Sequence, residues 1–315
     1  MANYLVTGGA GFIGSNLVGA LVARGDAVRV VDNLVTGRRE NMAYWGERVD
    51  FIEGDLCEID VCQAAVRDMD YVLHQAAVPS VPRSVANPLL CHEANVTATV
   101  NLLVAARDAH VKRFVLAGSS SAYGNQPVVF KSEELAPHPL SPYAAAKVAC
   151  EYYLQAFATC YGMETVTLRY FNVFGPCQDP DSPYSAVIPN FIRALHRGEA
   201  PVIHGDGSQA RDFTFVENNV QANLLAAVAA IPARGEIYNI ACGAPVTVLS
   251  LFEAIRKQMG VDLSPVFEAA RVGDVHTSVA SIERAQQSLG YRVTVPFAEG
   301  LSRTVAWYCE RLGGS

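Results

Sequence analysis

Charge is scarce in this chain. Only 17% of its 315 residues are charged, no run of lysines or arginines occurs, and the net charge is -7. No basic stretch or Lys/Arg-rich helix is available to displace counterions from a phosphate backbone, so a nucleic acid partner is not expected. Long apolar runs are also missing: Leu224 to Ile231 is the longest, well short of the ~18 residues of a membrane span. A bilayer crossing is therefore not expected. No charged leader or cleavage site precedes the strand-like Tyr4-Leu5-Val6, which points to a cytoplasmic location. The eight cysteines (57, 62, 91, 150, 160, 177, 242, 309) include no Cys-x-x-Cys pair and are read as reduced thiols used in packing. Neither a His-Glu-x-x-His metal signature nor a nucleophile elbow is present, so no metal site is expected. Internal repeats and low-complexity segments are absent too.

What is present is apolar: 50% of residues are hydrophobic, enough for a substantial core in one large α/β unit or a nucleotide domain with a smaller partner. From Tyr4 to about Arg169, short β-branched runs alternate with longer amphipathic ones, as in a parallel sheet with crossover helices. Strands are predicted at 4–6, 27–31, 49–53, 71–74, 114–117 and 165–169, with helices at 13–24, 61–67, 93–109 and 143–161. This is the pattern of a Rossmann-type doubly wound sheet. Beyond Phe171, Pro- and Gly-bearing segments interrupt helical stretches at 188–196 and 249–259, predicting a smaller lobe. Helix 220–230 and strand 237–240 should return to the main sheet, so the lobes interleave: 1–170 with 212–242, and 171–211 with 243–315.

Thr7-Gly8-Gly9-Ala10-Gly11-Phe12-Ile13-Gly14 follows the first strand and opens the first helix. Glycines at 8, 11 and 14 let the chain turn tightly, admit a pyrophosphate against backbone N–H groups and bring helix close to strand. Asp32 ends the second strand 18 residues after Gly14, where a carboxylate is expected to bond the adenosine ribose hydroxyls and repel a 2′-phosphate. NAD is thus expected over NADP; the alternative is that Asp32 only opens the Asp32-Asn33 turn. Asp55 in Gly54-Asp55-Leu56 and the Gln75-Ala76-Ala77 turn also follow strands, where the adenine and the centre of the cofactor should lie.

Ser141-Pro142-Tyr143-Ala144-Ala145-Ala146-Lys147 starts a helix with a capping residue and a proline at the first helical position. Tyr143 and Lys147 fall at i and i+4, on one face. A phenol with a pKa of ~10 is a poor base at neutral pH, and lowering it by ~3 units takes ~4 kcal/mol, which a nearby ammonium and a nicotinamide's positive charge can supply. One such pair among 13 tyrosines and four lysines is not decisive, since about 0.2 are expected by chance. Its place after the fifth strand, together with Ser119-Ser120-Ser121-Ala122-Tyr123-Gly124, gives it meaning: a serine there can share a substrate hydroxyl's proton with Tyr143.

The glycine fingerprint, serine run and Tyr143-Lys147 pair resemble the extended short-chain dehydrogenases/reductases over nearly the whole chain. Within these the chain is most similar to the bacterial UDP-N-acetylglucosamine 4-epimerases. The specific segments are Gln75-Ala76-Ala77, Ser80-Val81-Pro82-Arg83-Ser84, Leu168-Arg169-Tyr170-Phe171-Asn172-Val173-Phe174-Gly175, Gln178-Asp179-Pro180, Ala186-Val187-Ile188-Pro189 and Arg271-Val272-Gly273-Asp274-Val275. The resemblance implies that Tyr143 is the base, Lys147 holds the nicotinamide ribose and Ser119 assists, with Ser120, Ser121 and Ser80 at the sugar. It places Phe12, Ile13, Asn33, Gly37, Leu56, Asn95, Ala117 and Tyr170 around NAD, besides the residues already named. Asn172, Arg211 and Arg271 would grip the UDP diphosphate, with Gln178, Ala186, Val187, Phe213 and Asp274 along the nucleotide; a guanidinium fork suits a diphosphate. The implied reaction moves the 4-hydroxyl proton to Tyr143 and the C4 hydride to NAD+, turns the 4-keto sugar and returns hydride to its other face. Ser278 falls at the family's gate, where a small residue admits a 2-acetamido group, so UDP-GlcNAc and UDP-GalNAc are the favoured substrates and UDP-Glc and UDP-Gal are also accepted. Ser281 departs from the family's usual Asp and weakens the local helix cap. A homodimer packed through the helices near Glu93 and Tyr143 is implied as well.

Four other readings share parts of this pattern. A 4,6-dehydratase usually carries an Asp-Glu pair where Ser120 and Ser121 stand, and a UDP-glucuronate decarboxylase a Glu that 118–124 lacks. A non-catalytic NAD sensor commonly loses the tyrosine or lysine, and both are kept. A UDP-glucuronate 4-epimerase needs only a pocket for a C6 carboxylate, and is the runner-up.

Overall fold

The structure, a computed structural model, describes residues 2–43, 45, 48–179, 186–269 and 277–313. Seven strands form its main sheet: β1 (Asn3–Thr7), β2 (Ala27–Asp32), β3 (Val49–Glu53), β4 (Tyr71–His74), β5 (Arg113–Ser119), β7 (Thr165–Tyr170) and β12 (Arg234–Ile240). All pair in parallel, in the order β12-β7-β5-β4-β1-β2-β3. Both faces are covered, so the central strands read as continuous apolar runs rather than alternating ones. Side-chain alternation sorts them: Tyr4 and Val6 point into one core layer, Leu5 into the other.

The first layer holds α1 (Phe12–Ala23), α8 (Val216–Val228) and α10 (Glu283–Leu289), and the second α2 (Ile59–Val66), α5 (Ala98–Asp108) and α6 (Pro142–Tyr161). Short helices α3 (Val81–Ala86) and α4 (Pro88–His92) lead through a π turn at Glu93–Thr97 into α5. The predicted helix at 93–109 thus begins five residues early, because Asn87 caps Leu90 N–H at 3.1 Å and Pro88 takes the first helical position. By length and composition Pro88–Asp108 is also apolar enough to cross a membrane. Half of it is buried here, against α2 and α6, as a core helix is.

The third core joins α7 (Val187–His196), α9 (Val248–Met259) and α11 (Phe297–Gly313) around an aromatic group of Phe174, Phe213, Phe215 and Phe297. It is edged by the pairs β8 (Val173–Phe174) with β11 (Thr214–Phe215) and β9 (Val202–His204) with β14 (Val266–Glu268). A four-stranded sheet adds β13 (Pro245–Thr247), β10 (Ala210–Asp212), β15 (Thr277–Ala280) and β6 (Phe130–Lys131), in that order. Buried Asp212 holds this sheet to the end of β12, accepting from the N–H groups of Cys242, Gly243 and Ala280 at 2.9 to 3.2 Å. The main-sheet strands and the returning β12 agree with the sequence reading to within a few residues; α11 was not predicted.

Candidate active site

Strand order reverses between β1 and β4, and the crevice at their carboxyl ends is where doubly wound sheets bind nucleotides. The glycine loop lines it. Gly8 adopts φ +66, and a Cβ there would stand 2.7 Å from the backbone of Ala76, so the loop and the Gln75-Ala76-Ala77 turn touch main chain to main chain. A Cβ on Gly14 would meet the Gly8 carbonyl oxygen at 2.2 Å. Gly11 caps α1 without any side-chain bond, leaving the helix N–H groups toward the crevice for an anion. Phe12 and Ile13 are half-buried and turn toward the third core.

At the end of β2, buried Asp32 accepts from Ala10 N–H at 3.0 Å and Leu34 N–H at 2.8 Å. The carboxylate therefore both opens the turn and holds the glycine loop, with two of its roughly four acceptor sites spent. Burial raises its pKa, against those two bonds. Gly37 lies where a Cβ would meet Asp32 Oδ1 at 2.6 Å. Asn33 donates to Asp55 Oδ2 at 3.0 Å, and Asp55 also accepts from Cys57 N–H, which lowers its pKa. Leu56 is buried in the second core. A tight glycine cradle, an uncapped helix start and a carboxylate at the second strand are the features an NAD adenosine diphosphate requires, and these residues fit it.

Ser119 ends β5, and its Oγ accepts twice from Ser121, from the N–H at 3.2 Å and the hydroxyl at 2.8 Å. Its own proton is left to donate. Across from it, Ser141 caps α6 by accepting from Ala144 N–H at 3.1 Å, and Tyr143 follows in the first turn. Burial pushes the Tyr143 phenol up to about 12, with the Ser119 hydroxyl pulling it down. From there to neutrality takes about 7 kcal/mol, more than an unperturbed phenol would need. Lys147 is buried, its pKa lowered by desolvation, and Nζ donates to the Ala117 carbonyl at 3.0 Å. Its other two donors have no bond among the described residues.

Two polar residues around this centre were not read from the sequence, Asn223 and His74. Gln75 Nε2 donates to Asn223 Oδ1 at 3.0 Å, Asn223 Nδ2 to Tyr170 Oη at 2.6 Å, and Tyr170 Oη to Gln75 Oε1 at 3.1 Å. This closed ring locks β4 and β7 to α8; an asparagine on a buried helix face was the available signal. His74 lies fully buried between Thr7 (2.6 Å) and Thr99 (2.9 Å), its pKa pushed down to about 3 by burial. Asn95 sits within the π turn with Oδ1 buried and unpaired among the described residues.

On the substrate side, Ser80 caps α3 by accepting from Arg83 N–H at 3.2 Å, and Ser120 and Ser121 form the turn after β5. Asn172 follows β7 at φ 32 and donates to the Asp212 carbonyl at 3.1 Å. Arg211 lies on β10 in register with Ser278 on β15, a diphosphate candidate beside the gate candidate. Ala186 and Val187 open α7, and Gln178 accepts from Tyr308 Oη through its carbonyl at 2.5 Å. Phe213 is a core aromatic, 6.4 Å from Phe174 and 5.9 Å from Phe297. Ser281 does not cap α10, whose N-cap is Ile282. Arg271 and Asp274 lie outside the described residues.

Comparison with known proteins agrees with this geometry. A model of the NAD dependent epimerase/dehydratase family matches residues 4–241. The chain belongs to that family. Family membership makes it an NAD-dependent enzyme on a doubly wound fold. It is similar to a UDP-N-acetylglucosamine 4-epimerase from Methanobrevibacter ruminantium, solved in complex with UDP-N-acetylmuramic acid: TM-score 0.94, 40% identity, 98% of this chain and 99% of that one. The UDP-glucose 4-epimerase of Thermus thermophilus, solved with NAD, gives TM-score 0.88 at 36% identity over 97% of this chain and 98% of that one. A UDP-glucose 4-epimerase of Mycolicibacterium smegmatis is 37% identical over 308 residues, 96% of this chain and 97% of its own.

Proposed function

We propose that this chain inverts carbon 4 of UDP-linked hexoses, favouring UDP-GlcNAc and UDP-GalNAc and also accepting UDP-Glc and UDP-Gal. The observation that carries the reading is the meeting of Tyr143 and Ser119 at the carboxyl edge of the sheet, beside an NAD cradle, in a chain whose near-full-length relatives include UDP-sugar 4-epimerases. NAD, when bound, supplies a reversible hydride acceptor. Everything else falls to the chain's own side chains.

Tyr143 takes the proton of the 4-hydroxyl and later gives it back; Ser119, fed by two bonds from Ser121, shares that proton through its own hydroxyl. Lys147, anchored on the Ala117 carbonyl with two donors still to place, would hold a cofactor ribose hydroxyl. Asn172 and Arg211 hold the diphosphate while the 4-keto hexose turns about its linkage. Ser278 supports the N-acetyl preference: it is small, half-buried and in register with Arg211. We also propose a homodimer, supported by the exposed apolar side chains Leu89, Tyr152 and Tyr153 on α4 and α6.

The test is incubation with UDP-GlcNAc, UDP-Glc and UDP-GlcA separately, with and without NAD, and NMR of the sugars. Changed C4 configuration with no loss of water or carbon dioxide is expected, fastest for UDP-GlcNAc. Tyr143→Phe should lower kcat by at least about 100-fold. An unaltered rate in that variant would sink the assignment.

A further inference from the structure

The two parts of the centre come from separate elements, Ser119 from β5 and Tyr143 with Lys147 from α6, and something must fix the distance between them. Glu151 lies one further turn along the stripe of α6 that carries Tyr143 and Lys147. Arg169 pairs on β7 with Gly118, the residue before Ser119. The two are joined by a bidentate ion pair, Arg169 Nε to Glu151 Oε1 at 2.9 Å and Nη2 to Oε2 at 2.6 Å, with side chains 1% and 2% exposed. The same guanidinium lies 4.6 Å over the ring of Tyr123, the last residue of the serine turn, and Tyr123 Oη is fixed in turn by Asn239 at 2.7 Å. A buried pair adds little net stability over apolar residues of the same volume. What it adds here is direction: two parallel hydrogen bonds hold one orientation, which dispersion contacts do not.

We propose that Arg169 and Glu151 form a positioning clamp that sets the Tyr143/Lys147 helix against the serine strand, a role that rests on the epimerase reading. Neither residue touches substrate. A displacement of ~1 Å in such a centre can cost about 100-fold in rate. The test uses the full chain with bound NAD and two variants, Glu151→Asp, which keeps the charge but shortens the reach, and the double Glu151→Leu/Arg169→Met, which keeps the volume without the direction. Melting temperature, KM and kcat for UDP-GlcNAc and UDP-Glc are measured on each. In at least one variant that stays folded with KM within about twofold of the parent, kcat should fall about 10- to 100-fold. If kcat stays within twofold in every folded variant, or follows melting temperature alone, or if neither variant folds, the pair is structural and the proposal is overturned. A parent chain that turns over no UDP-hexose overturns the epimerase reading, and the clamp with it.

Discussion

Gly14→Ala should be damaging out of proportion to one methyl group. The added Cβ would stand 2.2 Å from the Gly8 carbonyl oxygen and 2.7 Å from Gly9 Cα, both backbone atoms. Gly8 is closely packed on its other side, where a Cβ built on it would stand 2.7 Å from the Ala76 main chain. Relief requires the loop or α1 to move by about 1 Å, and overpacking of this kind costs about 1–3 kcal/mol. Gly19, in the same helix, is the control: no atom of the described residues lies within 4 Å of its Cβ position, and alanine there should stabilise by about 0.5–1 kcal/mol. The two variants should therefore differ by about 2–4 kcal/mol, on the order of 5 °C in melting temperature for a chain of this length. NAD adds a second reading. At about 100 times its Kd it should stabilise the parent and Gly19→Ala by about 2.7 kcal/mol, and Gly14→Ala by much less. Paired thermal scans with and without NAD check both; coincident melts with equal NAD shifts would refute the argument.

Three further outcomes follow from the site. Ser278→Tyr should lower UDP-GlcNAc turnover at least about tenfold while sparing UDP-Glc, read by NMR of each sugar; equal losses on both would remove the gate. His74, with a folded pKa of about 3, stays neutral while the unfolded chain takes up a proton below its ordinary ~6.5, so stability is lost as pH falls through that window, by about 2–3 kcal/mol at pH ~4.5. Urea melts of the parent and His74→Gln at neutral and acid pH should show the variant's deficit shrinking by that amount. Sedimentation should find a two-chain species, and Leu89→Glu, at a side chain 75% exposed, should shift it to monomer.

Local chemistry made much of this legible in advance. Glycine spacing, the Ser141-Pro142 start and the β-branched strands each dictate their own backbone, and the sheet follows from stacking them. Where meaning depends on a distant partner, the sequence is silent. Asn223 reads as a polar residue in an apolar helix until Gln75 and Tyr170 are beside it. Arg169 and Glu151, 18 residues apart, carry no sign of their pairing. Phe213, placed along the nucleotide by resemblance, is packed among other rings. The helix expected from Glu93 begins instead at Pro88, behind an Asn87 cap that the sequence reading passed over.

Phe130–Lys131 leaves the stretch between Ser119 and Tyr143 to become the edge strand beside Thr277–Ala280. The thread joining the two halves of the reaction centre is thus sewn into the sheet that also carries Arg211 and Ser278. A chimera that imported only a relative's C-terminal portion would leave this strand facing a foreign neighbour. Transplanting specificity therefore means moving residues 125–140 together with the later segments, and a graft that omits them should misalign the chemistry even when every pocket side chain is correct.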